Sequence, residues 1–186
     1  ELSIKQFEDE VVEADDCIAY YVLNRKEDEK ILICTGDRDL CQLMDEHVSV
    51  YLFDRKRIYN IENYDEYFDY HIRNLKLIKI IVGDTSDNIK GIDGIGEDTL
   101  LKLFPELKER ECTLEEIIEK AKILQEEKKN KSKRLQNIIE GNTVGVQGNM
   151  VYEINNKLIN LTAPLLSEKC LVNLTTFIET PLDPEG

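Results

Sequence analysis

Three short acidic motifs carry the residues most able to do chemistry: Glu13-Ala14-Asp15-Asp16, Gly36-Asp37-Arg38-Asp39, and Gly83-Asp84-Thr85-Ser86-Asp87-Asn88. Each alone has an ordinary explanation. Acids at a helix start complement the helix dipole, and an Asp after a strand often caps the next helix. Seven carboxylates brought together are another matter. Two carboxylates ~5 Å apart at an effective dielectric near 20 repel by roughly 3 kcal/mol. A cluster of such pairs needs cations, or protons on several members. Oxygen-only ligands point to Mg²⁺ or Mn²⁺. Calcium is disfavoured, because a calcium loop starting at Asp84 needs Gly where Ile89 stands and Glu where Ile95 stands.

The elements around these motifs follow from apolar spacing. Residues 10 to 23 carry Val11, Val12, Ile18, Ala19, Val22 and Leu23 at helical spacing, which puts Glu13 and Asp16 on one face near a helix start. Ile31 to Thr35 reads as a buried strand, Leu40 to Met44 as a short helix, and Val48 to Phe53 as a second strand. Strand, helix, strand is a right-handed parallel unit, and Asp37 falls just past the carboxyl end of its first strand, where open parallel sheets bind ligands. Two parallel strands cannot cover both their faces, so either further strands lie upstream, the preferred expectation, or the chain pairs with something else. From Leu75 the pattern is all-helical, with Leu75 to Val82, Thr99 to Phe104, Leu114 to Leu124 and Lys133 to Ile139 as helices. The last forty residues read as helical or irregular.

Between the first two of these helices lies Asn88-Ile89-Lys90-Gly91-Ile92-Asp93-Gly94-Ile95-Gly96-Glu97-Asp98. Its glycines permit tight turns and close backbone approach. Gly96 opens a helix whose first amides are free to meet a phosphate oxygen. Lys128 to Arg134, including Lys131, Lys133 and Arg134, is a local basic stretch that would hold duplex backbone or form a solvated face.

Over 186 residues, 24 Lys+Arg stand against 38 Asp+Glu, a net charge of −14. This argues against binding nucleic acid through a general basic surface. Assigning seven acids to a cation site leaves 31 acids against the 24 bases, so half of the excess is accounted for. Five scattered cysteines without a C-x-x-C pair fit reduced thiols in a cytoplasmic setting rather than a zinc site. No apolar run approaches the ~20 residues of a membrane helix, and no membrane association or oligomer is expected. The opening Glu1-Leu2-Ser3 and the closing Pro181 to Gly186 are expected to be cut ends of a longer chain.

The motifs E-A-D-D, T-G-D-R-D-L and G-D-T-S-D-N-I-K-G-I-D-G-I-G resemble those of the 5′-to-3′ exonuclease and flap endonuclease family, which includes phage-type enzymes and the 5′-nuclease domain of bacterial DNA polymerase I. The resemblance covers roughly residues 8 to 105. It implies an α/β protein: part of a PIN-like parallel-sheet nuclease domain over 1–74, then an all-helical helix–three-turn–helix domain with a C-terminal extension over 75–186. It implies Glu13, Asp15, Asp16, Asp37, Asp39, Asp84 and Asp87 as ligands of two Mg²⁺ or Mn²⁺ ions, with Glu13, Asp16, Asp37 and Asp39 at the catalytic centre. Lys90, Gly91, Gly94 and Gly96 would form the DNA-binding hairpin, which in some relatives holds K⁺. The expected activity is hydrolysis of DNA from 5′ ends, flaps or nicks, and of RNA–DNA primers, in replication or repair, in a bacterial or phage-infected cell. The family's first metal-binding Asp residues and its helical arch have no counterpart before Glu13, so weak or no turnover is expected of these residues alone. Lys90 stands where the family often has Pro, and Glu97-Asp98 replace a more basic pair. The competing classes are a non-catalytic DNA-structure-binding module and a PIN-like ribonuclease.

Overall fold

The computed structural model describes residues 4–127, 131–146 and 148–181. Packing divides the chain into two compact units, Glu1–Ile58 together with Leu161–Gly186, and Tyr59–Asn160. The first unit thus holds the sheet and regains the end of the chain. The composition shift at 74/75 marks where the helical character begins, and the packing boundary lies earlier, at Tyr59.

In the first unit, α1 spans Ala14–Leu23 and buries Ala19 and Val22. It starts later than the apolar spacing suggests. The Asp9 carboxylate accepts the amides of Val11 and Val12, both at 3.0 Å, and this turn takes residues 10–13 out of the helix. Strand β1 (Ile31–Thr35) pairs in parallel with β2 (Val48–Leu52), in register from Ile31 with Val48 to Thr35 with Leu52. Alternation on β2 buries Val48, Val50 and Leu52. The crossover is a 3₁₀ helix, Arg38–Leu43, which buries Leu40, Cys41 and Leu43. A third strand, β3 (Arg57–Tyr59), completes the order β1-β2-β3 after a turn at Lys56, whose φ is 52°.

Late in the chain, α8 (Glu168–Glu179) is capped by Ser167 and packs in this same unit. The Phe7 and Phe177 rings lie 5.3 Å apart, the Cys17 and Cys170 sulfurs 3.9 Å apart, and the Tyr20 hydroxyl 3.3 Å from that of Thr175.

The second unit is built on α2 (Leu75–Val82), α3 (Glu97–Leu103), α4 (Glu106–Glu109), α5 (Leu114–Glu126), α6 (Lys133–Glu140) and α7 (Met150–Ile159). Its one sheet among the described residues is a minimal antiparallel pair, β4 (Gly83–Asp84) with β5 (Ile89–Lys90). Thr113 and Glu116 form a reciprocal capping box on α5, and Gly141 ends α6 in the left-handed region at φ 66°. Fully buried Asn74 acts as a polar rivet. Its amide donates to the Leu107 and Arg110 carbonyls at 2.8 and 2.7 Å, and its oxygen accepts the Cys112 amide at 2.8 Å. All five cysteines are free thiols. No helix among the described residues is long and apolar enough to cross a membrane.

Candidate metal centre and hairpin

The first unit brings five of the seven acids into one electrostatic group. Glu13 immediately precedes α1, and Asp15 and Asp16 occupy its first turn. Asp37 follows β1 and caps the 3₁₀ helix, its Oδ1 accepting the Asp39 amide at 2.8 Å, while Thr35 Oγ1 accepts the Asp37 amide at 2.9 Å. Asp37 is therefore both the strand-end acid and the cap. Asp16 Oδ1 accepts the Leu165 amide at 2.8 Å, so the segment leading into α8 fixes one of its oxygens.

Asp15 reports on the group as a whole. Its carboxyl is pushed up to about 6 by burial first, then by the charges of Asp37, Asp39, Glu13 and Asp16. An all-oxygen donor set that raises the proton affinity of one of its own members fits a hard divalent cation, which would relieve the same repulsion.

Asp84 and Asp87 belong to the second unit, Asp84 at the end of β4 and Asp87 in the turn that leads to β5, and offer carboxylate oxygens within 4.8 Å of each other. Asp87 is exposed. Asp84 is held from both sides. Its Oδ2 pairs with the Lys79 ammonium, and its Oδ1 accepts the Ser86 amide at 2.9 Å and the Ser86 hydroxyl. Burial works to raise its pKa, but the hydrogen bonds from Lys79 and Ser86 and the Lys79 charge outweigh it and hold the carboxyl well below the usual carboxylate range. The turn itself is tight, with Asn88 in the left-handed region at φ 57°.

The hairpin that follows is made possible by backbone crossing backbone. A Cβ on Gly91 would stand 1.9 Å from the Val82 carbonyl oxygen, and one on Gly83, at φ +80°, would stand 2.3 Å from the Gly91 nitrogen. The Ile92 amide donates to the Ile81 carbonyl at 2.7 Å, and Ile92 and Ile95 are buried as pins. Gly94 adopts φ +75°, beside the Arg134 side chain. Gly96 has neither constraint: its φ is −102° and a Cβ there would meet nothing within 4 Å. Its lack of a side chain leaves the start of α3 open rather than shaping the turn. Lys90 is exposed, and its ammonium reaches the Val144 carbonyl at 3.3 Å. Lys131, Lys133 and Arg134 flank Ser132, the cap of α6, and are exposed. Lys128, Lys129 and Asn130, the rest of that basic stretch, lie outside the described residues.

Sequence reading passes over three residues that position these groups. Lys79 lies on the same face of α2 as Leu75, Ile78 and Val82, and a cation on an apolar stripe was the available signal. Buried Asn155 donates to the Ile80 and Lys90 carbonyls, both at 2.9 Å, clasping the two ends of the acidic turn. Asn137 donates to the Asp93 carbonyl at 2.9 Å, and the Asn142 carbonyl accepts the Asp93 amide at 3.0 Å. Nothing local in the sequence marks these asparagines.

Residues 1–69 match the model of a 5′-3′ exonuclease N-terminal, resolvase-like domain. The chain is 35% identical over 116 residues to a 5′-3′ exonuclease of Bacillus subtilis, an alignment that covers 60% of this chain and 38% of that protein. It is 39% identical over 122 residues to DNA polymerase I of Caldicellulosiruptor bescii, covering 62% of this chain and 14% of the polymerase. The chain therefore spans well under half the length of these relatives. A crystal structure of the bacteriophage T5 flap endonuclease in a pseudo-enzyme-product complex with DNA and metal ions shares the fold. The TM-score is 0.66 at 23% identity, over 90% of this chain and 59% of the phage chain.

Proposed function

We propose that this chain, similar over part of its length to 5′-3′ exonucleases, forms the metal-binding and DNA-gripping part of a nuclease that hydrolyses DNA from 5′ ends or flaps. The observation that carries the reading is the gathering of Glu13, Asp15 and Asp16 at the start of α1 with Asp37 and Asp39 just past the end of β1, close enough for the other four, together with burial, to push Asp15 up. A group of carboxylates at the end of a parallel strand, costly without a cation, is what metal-assisted phosphodiester cleavage requires.

In this reading Glu13, Asp15, Asp16, Asp37 and Asp39 supply one set of oxygens and Asp84 and Asp87 another. Two bound ions, Mg²⁺ or Mn²⁺, would supply activation of water and stabilisation of the leaving oxygen. Asp37 accepts the Asp39 amide and Asp16 the Leu165 amide, contacts that support fixed carboxylate orientations in this reading. Residues 1–74 serve as the nuclease part and 75–186 as the part that holds duplex DNA.

The hairpin of Gly91, Gly94 and Gly96, with Lys90, presents main-chain amides to the phosphate backbone, and K⁺ is the ion expected there. Lys131, Lys133 and Arg134 add charge to that grip without reading sequence. A net charge of −14 is compatible with such a contact because amides and bound cations, rather than a basic surface, supply the attraction. Flaps, nicks and RNA–DNA primers are the expected substrates.

The test is cleavage of a labelled 5′-flap DNA by the full protein with Mg²⁺, compared with matched RNA. Asp37→Asn and Asp87→Asn are expected to lose at least about a hundredfold in rate while binding the flap as before. Full activity in both variants sinks the site assignment. Preference for the RNA points instead to a ribonuclease, and Mg²⁺-insensitive binding without cleavage to a DNA-structure-binding module.

A further inference from the structure

Among the described residues Lys79 is the one buried side chain with a formal charge, 5% exposed in a helix whose Leu75, Leu77, Ile78, Ile80 and Ile81 are all buried. A buried ammonium persists only when paired. The fold supplies the pair by geometry. α2 ends at Gly83, φ +80°, which turns the chain so that Asp84 comes back against the last turn of the helix. There Oδ2 meets Lys79, while Ser86 fixes Oδ1. Side-chain exposures of 6% for Lys79 and 12% for Asp84 keep solvent from screening the contact.

Taking the metal-ligand reading of Asp84 and Asp87 as its basis, we propose that Lys79 is a positioning residue that sets the strength of that cation site by neutralising Asp84 from within the helix. With Lys79 present, an incoming divalent ion meets one net negative charge from Asp84, Asp87 and Lys79 together, instead of two from the acids alone. It must also share Asp84 with an ammonium already seated on Oδ2. The site is thereby made weak and exchangeable, while the carboxylate is kept ionised and aimed when no ion is bound. Such a ligand set suits Mg²⁺, which keeps several waters and leans on one or two carboxylates.

The experiment is Mn²⁺ titration of the full chain, followed by the electron-spin signal of free Mn²⁺, for the wild type, Asp84→Asn, Asp87→Asn, Lys79→Met and the Lys79→Met/Asp84→Asn double variant. Removing one charge a few ångströms from a divalent ion is expected to tighten the Asp87-dependent site roughly tenfold or more in Lys79→Met. Asp84→Asn alone, left with the uncompensated lysine, should lose that site. The double variant should regain it to near wild-type affinity, because its net charge is again one negative.

The double variant replaces a buried ion pair by two neutral groups and so keeps the test alive if Lys79→Met does not fold. Unchanged or weaker Mn²⁺ binding in Lys79→Met, or no recovery in the double variant, overturns the role of Lys79 while leaving the metal site standing. A wild-type titration indifferent to both Asp84→Asn and Asp87→Asn overturns the metal site itself, and this inference with it.

Discussion

Replacing Asp15 by Asn removes a group that the folded protein holds in an unfavourable state. The carboxyl moves from 3.8 to about 6, with burial the main cause and Asp37, Asp39, Glu13 and Asp16 adding to it. A carboxyl whose folded pKa is raised binds its proton more tightly in the folded state than in the unfolded one. Stability contributed by the protonated group is present below about pH 4 and is lost as pH rises through about 6. At about 1.4 kcal/mol for each tenfold in proton affinity, the loss is at most ~3 kcal/mol. Solvent around a half-buried group screens this to about 1–2 kcal/mol. Asp15→Asn should therefore stabilise the metal-free protein by about that amount above pH 7 and by little at pH 4. For a chain of this length the gain corresponds to a melting temperature higher by roughly 2–8 °C. The assay is thermal unfolding followed by circular dichroism in chelator at pH 4, 5, 6, 7 and 8, for wild type and variant. Mg²⁺ added at pH 7.5 should stabilise the wild type more than the variant, since the cation relieves the repulsion that the substitution has already removed. A gain that does not grow between pH 4 and 7, or a variant less stable than wild type at pH 7.5 without metal, refutes the reasoning.

Other expectations follow from single contacts. Gly91→Ala should disrupt the second unit, because its Cβ would fall 1.9 Å from the Val82 oxygen; loss of the folded circular dichroism signal or a large fall in melting temperature checks it. Gly96→Ala, with nothing within 4 Å, should leave the melting temperature within about 2 °C and instead weaken binding to a 5′-flap duplex, measured by fluorescence anisotropy. Asn74→Leu leaves the Cys112 amide without its acceptor and takes a donor from the Arg110 and Leu107 carbonyls, the latter keeping the His71 amide, so urea unfolding should show a loss of about 2 kcal/mol or more.

Strands 31–35 and 48–52, their parallel pairing and the helices at 75–82, 114–126 and 133–140 are legible because burial imposes its period directly on the sequence. What escapes has a different physical origin. β3 is three residues long, too short to show alternation, and α4 is a single turn after Pro105. α7 and α8 each leave part of their apolar surface exposed, Met150 and Leu158 on one and Val172 on the other, which blurs the amphipathic pattern. The acidic motifs announce themselves by residue type, and the glycines by density. Spacing alone does not separate their roles: Gly91 is dictated by backbone crossing, Gly94 by its positive φ, and Gly96 by neither. Lys79, Asn137 and Asn155 act through contacts with carbonyls and a carboxylate that only tertiary folding brings near.

The return of α8 to α1 has a consequence for how the molecule comes to exist. Residues 59–160 are contiguous, so that unit has all of its own chain once Asn160 has been synthesised. The unit that carries Glu13 to Asp39 closes through pairs such as Cys17 with Cys170, 153 positions apart. At translation rates of about 5–20 residues per second, α1 waits roughly 8–30 s for its partner helix. The usual order, N-terminal part first, is reversed, and the slow, long-range closure is reserved for the unit with the carboxylate cluster. A nascent chain thus completes residues 59–160 before it can close the unit that carries Glu13 to Asp39.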